Sequence, residues 1–217
     1  MNSVNKLLES VWLHEWDWYK KRKRRRLKNT DFTIISSNCV GTIIYHDMGL
    51  PFLTPTINLT ISMRDLVKMT GNLRWYMDQE LVEVRTGGVC PAGLLGDIQV
   101  NFVHYGTFAE GAERWERRKK RIHWDNIFLM GTERDDCDYG VLQAFDRLPY
   151  PNKIVFTHVE YPEFSSAVCI HGFENQGEIG TITNFRTLSA YKRRRYIDSF
   201  DYITFLNNAK ESPDGTT

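Results

Sequence analysis

The sequence predicts an α/β domain of three layers, α/β/α, with a mainly parallel central sheet, and three observations carry that expectation. Short apolar runs of strand type recur at residues 32–36, 98–103, 127–130 and 154–156. Segments with helical spacing stand between them, so strands alternate with helices. A chain of 217 residues, 41% hydrophobic and 25% charged, is also long enough to bury one sizeable core. Strands linked through single helices pair in parallel by right-handed crossovers.

Residues 1–29 form a basic, aromatic N-terminal extension or helix in this reading. Leu7, Leu8, Val11, Trp12, Trp16 and Trp18 precede a tract in which eight of the nine positions 20–28 are Lys or Arg. Two structures suit that composition. One is an interfacial helix whose aromatic face lies on a bilayer while its cations meet anionic lipid, so that residues 6–28 contact a membrane surface. The other is a helix packed on the domain and followed by a solvated charged linker.

The domain proper spans residues 30–206. The β-branched run 32–36 opens it as a strand, and residues 40–48 follow as a helix that Gly49 closes. Pro51 and Pro55 keep residues 50–56 out of helix, after which residues 57–61 alternate as a strand does. Ser62 with Asp65 is a capping pattern, and Met63, Leu66, Val67, Thr70, Leu73 and Met77 hold one helical face. Residues 81–84 read as a short strand, residues 86–93 as a loop rich in Gly and Pro, and residues 98–103 as a strand. Thr107 and Glu110 then cap a helix whose pairs Glu110/Arg114, Glu113/Arg117 and Glu116/Lys120 stand four apart.

Two buried-type strands, 127–130 and 154–156, flank a helical stripe of Val141, Leu142, Phe145 and Leu148. Residues 167–170 add a strand. Residues 187–206, with Leu188, Tyr191, Tyr196, Ile197, Phe200 and Phe205, read as a closing helix. Residues 207–217 form a polar tail that frays.

No stretch approaches the roughly 20 apolar residues that span a bilayer, and the first nine residues lack the apolar core of a signal peptide. The sequence therefore predicts a cytoplasmic protein, peripheral at the inner membrane if the N-terminal helix binds lipid. Cys39, Cys90, Cys137 and Cys169 are scattered with no Cys-x-x-Cys pair, so free thiols are expected, and the six histidines show no zinc spacing. Formal net charge is +1, which leaves the chain net negative outside the basic tract. Nucleic acid is thus a poor partner, because no extended basic footprint remains.

In an open parallel sheet, ligands gather beyond the carboxyl ends of the strands, so residues just after each strand become comparable. Ser36, Ser37, Asn38 and Cys39 follow the first strand, with Gly41 in the next turn of helix. Backbone N–H groups at that helix start suit a phosphate or sugar hydroxyls, which makes Ser36, Ser37, Asn38 and Gly41 the expected donor-binding residues. The same position favours a lowered thiol pKa at Cys39. With His104 or His158 as base, it forms a candidate nucleophile for a coenzyme A thioester. Asp135 follows residues 127–130 and suits general-base or hydroxyl-orienting work on a nucleotide sugar, a shared cation with Glu133, or a helix cap. No metal site is predicted. Neither Gly-x-Gly-x-x-Gly nor a P-loop occurs at the turn.

The order of motifs resembles a known family. The segments are 32–39 (FTIISSNC), 49–52 (GLPF), 54–56 (TPT), Asp97 through His104 and Tyr105, 115–118 (WERR), 125–126 (DN) and 145–150 (FDRLPY). Together they are similar to the domain of unknown function 1919 family over residues 30–205. The resemblance implies a bacterial α/β protein of exopolysaccharide or capsular polysaccharide biosynthesis. Such a protein would be a transferase using an activated acyl or sugar donor and a glycan acceptor at the cytosolic membrane face, or a non-catalytic accessory protein binding glycan or nucleotide. The Asn38-Cys39 pair after a first strand is also similar to some capsule-associated acyltransferases that bind coenzyme A.

Overall fold

Four strands of the computed structural model lie side by side and run the same way, and the rest of the chain is arranged around them. Residues 3–212 are described, with the side chains of residues 3, 4 and 6 excepted. Residues 213–217 of the expected tail fall outside them. The chain runs α1 (Ser3–Arg26), β1 (Thr33–Ser36), α2 (Val40–Met48), α3 (Met63–Gly71) and α4 (Leu73–Asp78). After these come β2 (Leu81–Val84), β3 (Ala92–Leu95), β4 (Ile98–Asn101), α5 (Phe108–Lys119), β5 (Ile127–Thr132), α6 (Tyr139–Asp146), β6 (Lys153–Thr157) and β7 (Ala167–Cys169). A hairpin of β8 (Phe185–Ser189) and β9 (Lys192–Arg195), a single 3-10 turn (Tyr196–Ser199) and α7 (Tyr202–Asn207) close it.

The parallel sheet has the order β1-β5-β6-β7, with Ile34 opposite Phe128, Met130 opposite Ile154, and Thr157 opposite Cys169. Every residue of β1 and β5 is buried, which is what a sheet covered on both faces requires. Side chains alternate across it. Ile34, Phe128, Met130, Ile154 and Phe156 join Ile44 and Tyr45 of α2 with Ile203 and Leu206 of α7. Ile35, Ile127, Leu129 and Val155 join Leu66 and Met69 of α3 with Leu142 and Phe145 of α6.

Local signals place most helix ends. The α2 helix stops at Gly49, whose φ of 69° is the left-handed conformation that a glycine adopts without strain. Ser62 accepts from the Asp65 amide at 3.1 Å to start α3, and Thr107 accepts from the Glu110 amide at 3.2 Å to start α5. The third start, of α6, is capped by Asp138 through the Val141 amide at 2.9 Å. Asp135, which the sequence offered as a cap, does not have that role.

Three expectations need correction. Residues 57–61 make only one bridge, Thr60 to Asn101, because the chain there crosses from the prolines to the α3 cap without a partner along its length. Residues 98–101 do form a strand, but it belongs to a separate antiparallel sheet, β2-β3-β4, whose strand 92–95 takes in the last two residues of the expected loop. The signal overlooked was Gly96-Asp97: Gly96 has φ 61°, the positive value that a two-residue hairpin turn demands. The closing helix expected over residues 187–206 is a hairpin, a 3-10 turn and a short helix. Its apolar residues mimic helical spacing, yet Arg194 points inward to Glu15, a strand alternation among the basic residues 192–195.

Partners from that hairpin and its neighbours hold α1 against the domain. Trp12 and Trp16 meet the edge of Phe185 with ring centres 5.6 and 5.1 Å away, and Glu15 pairs with Arg194. Lys23 Nζ lies 2.7 Å from Asp198, Arg24 Nε donates to the Asp47 carbonyl at 2.6 Å, and Arg26 pairs with Asp201 at 2.6 Å. The basic tract is therefore helical up to Arg26 and partly engaged with the domain. Lys23 is only 5% exposed, and burial depresses its pKa against the pull of Asp198.

Replacing Asp198 with Ala leaves the Lys23 ammonium buried without its partner and removes an acceptor of the Arg195 amide. Urea denaturation of Asp198→Ala should show a loss of about 3–5 kcal/mol, whereas Lys21→Ala, on the exposed face, should stay within about 0.5 kcal/mol of the parent. Equal losses in the two variants would refute the clasp.

Candidate functional site

Parallel pairing brings the ends of β1 and β5 together, and side chains lace them there. The Ser37 amide donates to the Met130 carbonyl at 3.1 Å, which carries the chain one residue past β1 in register. Asn38 then spans the gap: its Nδ2 donates to Thr132 Oγ1 at 2.8 Å while its Oδ1 accepts from the Val40 amide at 3.1 Å. The first open amide of α2 is thus satisfied by Asn38. Residues 60–63 cross above, tied by the Ile61 amide to the Ser37 carbonyl at 2.8 Å and by Thr60 to Asn101 in both directions at 2.9 Å.

These segments enclose a cleft of about 450 Å³ lined by Ser37, Asn38, Thr60, Ser62, Asn101, Thr132, Arg134 and Asp135, with Ile61 and Met63. Its walls are hydroxyls and amides, with one cation and one carboxylate. A smaller pocket of about 220 Å³ adjoins it, shares Asn38, Thr60 and Arg134, and adds Cys39, Val40, His104 and residues 180–183.

Arg134 stands between the two chambers. Its Nη1 is 3.5 Å from Thr181 Oγ1, and its shielded Nε has no hydrogen-bond partner among the described residues. An unpaired, desolvated guanidinium N–H is costly unless something binds it. Asp135 has φ 61°, a conformation that aspartate tolerates better than most residues, and its amide donates to Glu178 at 2.7 Å. That bond fixes the turn and leaves the carboxylate exposed on the rim.

The expected site residues divide into three groups. Ser37, Asn38 and Asp135 line the main cleft, and Cys39 and His104 line the adjoining pocket. Ser36 and Gly41 line neither: Ser36 is fully buried and donates to the Asn38 carbonyl at 2.7 Å. A Cβ on Gly41 would stand 2.8 Å from Ser36 Oγ, so these two small residues seat α2 on β1. His158 is apart from both chambers. Its Nδ1 is 2.6 Å from Glu133 Oε2, which also accepts from the His158 amide at 2.9 Å, while Tyr161 donates to Oε1 at 2.6 Å. Buried Glu133 thus spends both carboxylate oxygens on His158 and Tyr161. Among the described residues no group of three or more His, Cys, Asp or Glu is placed to hold a metal ion.

The thiol differs from its expectation. Burial pushes the Cys39 pKa up, so desolvation outweighs the start of α2. No hydrogen bond joins Cys39 to His104 or His158 among the described residues. Sequence reasoning missed Thr60, Ser62 and Asn101. Their approach depends on a crossing loop and a second sheet, and the one local hint was the turn at Gly96.

A mixed α/β fold around a four-stranded parallel sheet, with a polar cleft at the strand ends, defines the class of protein. Residues 14–207 match the family model described as a domain of unknown function (DUF1919), and the chain belongs to that family. A Haemophilus influenzae protein described as uncharacterized is 38% identical over 209 residues, which are 96% of this chain and 100% of that protein. Among the described residues no helix is long and apolar enough to cross a membrane.

A raised thiol pKa makes alkylation slow near neutrality, because the thiolate is the reacting species. Iodoacetamide labelling of Cys39, followed by peptide mass spectrometry, should run at least about 10-fold slower than labelling of N-acetylcysteine at pH 8. The rate should climb as pH rises toward the elevated pKa. Labelling as fast as the free thiol would restore an activated cysteine.

Proposed function

We propose that this protein binds an activated sugar donor in the polar cleft and transfers the sugar to a glycan acceptor in surface-polysaccharide synthesis at the cytosolic membrane face. The observation that carries the reading is Arg134, the cation on a cleft wall otherwise made of hydroxyls and amides. A guanidinium fork suits the phosphates of a nucleotide sugar, and Ser37, Asn38, Thr60 and Asn101 suit sugar hydroxyls. The reading takes the domain as three layers, with α2 and α7 on one face of the sheet and α3 and α6 on the other.

The chemistry follows from what the cleft presents. Asp135 takes the proton of an acceptor hydroxyl, that oxygen bonds to the anomeric carbon, and the bond from this carbon to the donor phosphate breaks. Negative charge gathers on the departing phosphate, where Arg134 offsets it. Acyl transfer from a coenzyme A thioester is a second reading, favoured by the presence of Cys39 and His104 in one pocket. The raised thiol pKa weighs against it.

Calorimetric titration with UDP-glucose, UDP-N-acetylglucosamine, GDP-mannose and acetyl-coenzyme A separates these readings. A nucleotide sugar should bind, and Arg134→Ala should weaken it about 10- to 100-fold, the worth of one or two charge-assisted hydrogen bonds. Asp135→Asn should keep binding within about 3-fold and lower transfer or donor hydrolysis by about 100-fold or more. Binding without turnover in the unaltered protein would make it an accessory binder. Saturable acetyl-coenzyme A binding with Cys39-dependent turnover would replace sugar transfer by acyl transfer.

A further inference from the structure

We infer that the outward face of α1 is a docking surface for an anionic phospholipid bilayer, seated through Trp18 and its neighbours. The inference deepens the membrane-face placement proposed above and rests on that placement, not on the ligand of the cleft.

Helix geometry separates the two faces of α1. At about 100° per residue, Leu7, Val11, Trp18, Lys21, Arg22 and Arg25 fall within an arc of about 100°. No Asp or Glu of residues 7–25 falls inside that arc. The other side carries Trp12, Trp16, Tyr19 and Lys23, with Glu15 at the flank of the stripe, and these meet Phe185, Asp198 and Arg194. The inward face is therefore held by the domain, and the outward stripe forms no ion pair with it among the described residues, although Arg22 borders a pocket shared with residues 198–201.

That stripe is apolar toward its start and cationic toward its end. Leu7, Val11 and Trp18 are 65%, 45% and 57% exposed, an unusual outlay of apolar surface for one helix face. Arg22 and Arg25 are exposed and form no ion pair among the described residues. The Arg22 guanidinium sits 5.7 Å from the centre of the Trp18 ring. An indole with a guanidinium over it suits the headgroup boundary, where the ring enters the acyl region and the cation stays with lipid phosphate. Charge complementarity therefore names the occupant. Nucleic acid would use the cations and leave Leu7 and Val11 bare, whereas a second copy of the chain would oppose like charges.

Co-sedimentation of the full chain with vesicles tests the surface. Phosphatidylglycerol–phosphatidylcholine vesicles should pellet it and pure phosphatidylcholine vesicles should not, with binding that falls as salt is raised. The double variant Arg22→Glu with Arg25→Glu should lower partitioning about 10-fold or more, since each reversal replaces an attraction by a repulsion. Trp18→Ser should also lower it, and quenching by brominated lipid seen in the parent should be lost in Trp18→Phe. Thermal melts serve as the folding control, and these exposed residues should leave the midpoint in place.

Several results would overturn the inference. They are absence from the anionic-vesicle pellet at low salt, binding unchanged in both variants, tighter binding to a single-stranded oligonucleotide than to vesicles, or self-association that Trp18→Ser abolishes. Donor titrations use no lipid, so a failure here leaves the cleft reading standing, and vesicle binding survives a failure of that reading.

Discussion

Parallel pairing of β1 with β5 is the constraint on which the rest of the structure depends. Ile34 opposite Phe128 and Ser36 opposite Met130 bring both strands to an end at the same edge, with Asn38 facing Thr132. Because a parallel ladder needs a long crossover, the chain leaves that edge at Ser37 and re-enters the sheet only at Ile127, at the opposite edge. Part of what is inserted in between lies over the strand ends: the 60–63 crossing, and Asn101 of the antiparallel sheet to which it is tied. The cleft is the space that remains.

Polar groups at that edge are of two kinds. Ser36, Asn38 and Glu133 spend their hydrogen bonds inward: Ser36 on a carbonyl, Asn38 on an amide and a hydroxyl, Glu133 on His158 and Tyr161. They make the turn rigid. Arg134 and Asp135 are different, since the guanidinium is only partly buried on the cleft wall and the aspartate lies exposed on the rim. Rigid inward groups that present unspent outward ones are what a binding site needs, because little ordering remains to be done when a ligand arrives.

The other end of the chain is joined to its beginning by charge. Lys23 with Asp198, Arg26 with Asp201 and Arg194 with Glu15 tie α1 to residues far away in sequence, and the aromatic rings of Trp12, Trp16 and Phe185 fill the space beside them. A run of like charges is normally a solvated, self-repelling segment. Here acidic residues near the C-terminus neutralise part of it, so the helix can pack on one side and keep free cations on the other.

Elements whose cause is local were legible in the sequence: the α2 helix to its last residue, the caps at Ser62 and Thr107, and the buried strands, read at 127–130 and 154–156 and one or two residues longer in the structure. Hydrogen bonds and periodicities within a few residues decide these, so neighbouring amino acids carry the information. The β8–β9 hairpin, the separate β2-β3-β4 sheet and the state of the Cys39 thiol were not legible. A strand needs a partner, and Phe185 to Arg195 pair with each other only as α1 covers them. A thiol pKa answers to burial by residues brought from elsewhere, which in this fold outweighs the helix start that the sequence displays. By itself the sequence determined which residues stand at the strand ends. Tertiary structure decided which of them face the cleft, because side-chain direction and burial arise only once distant segments pack together.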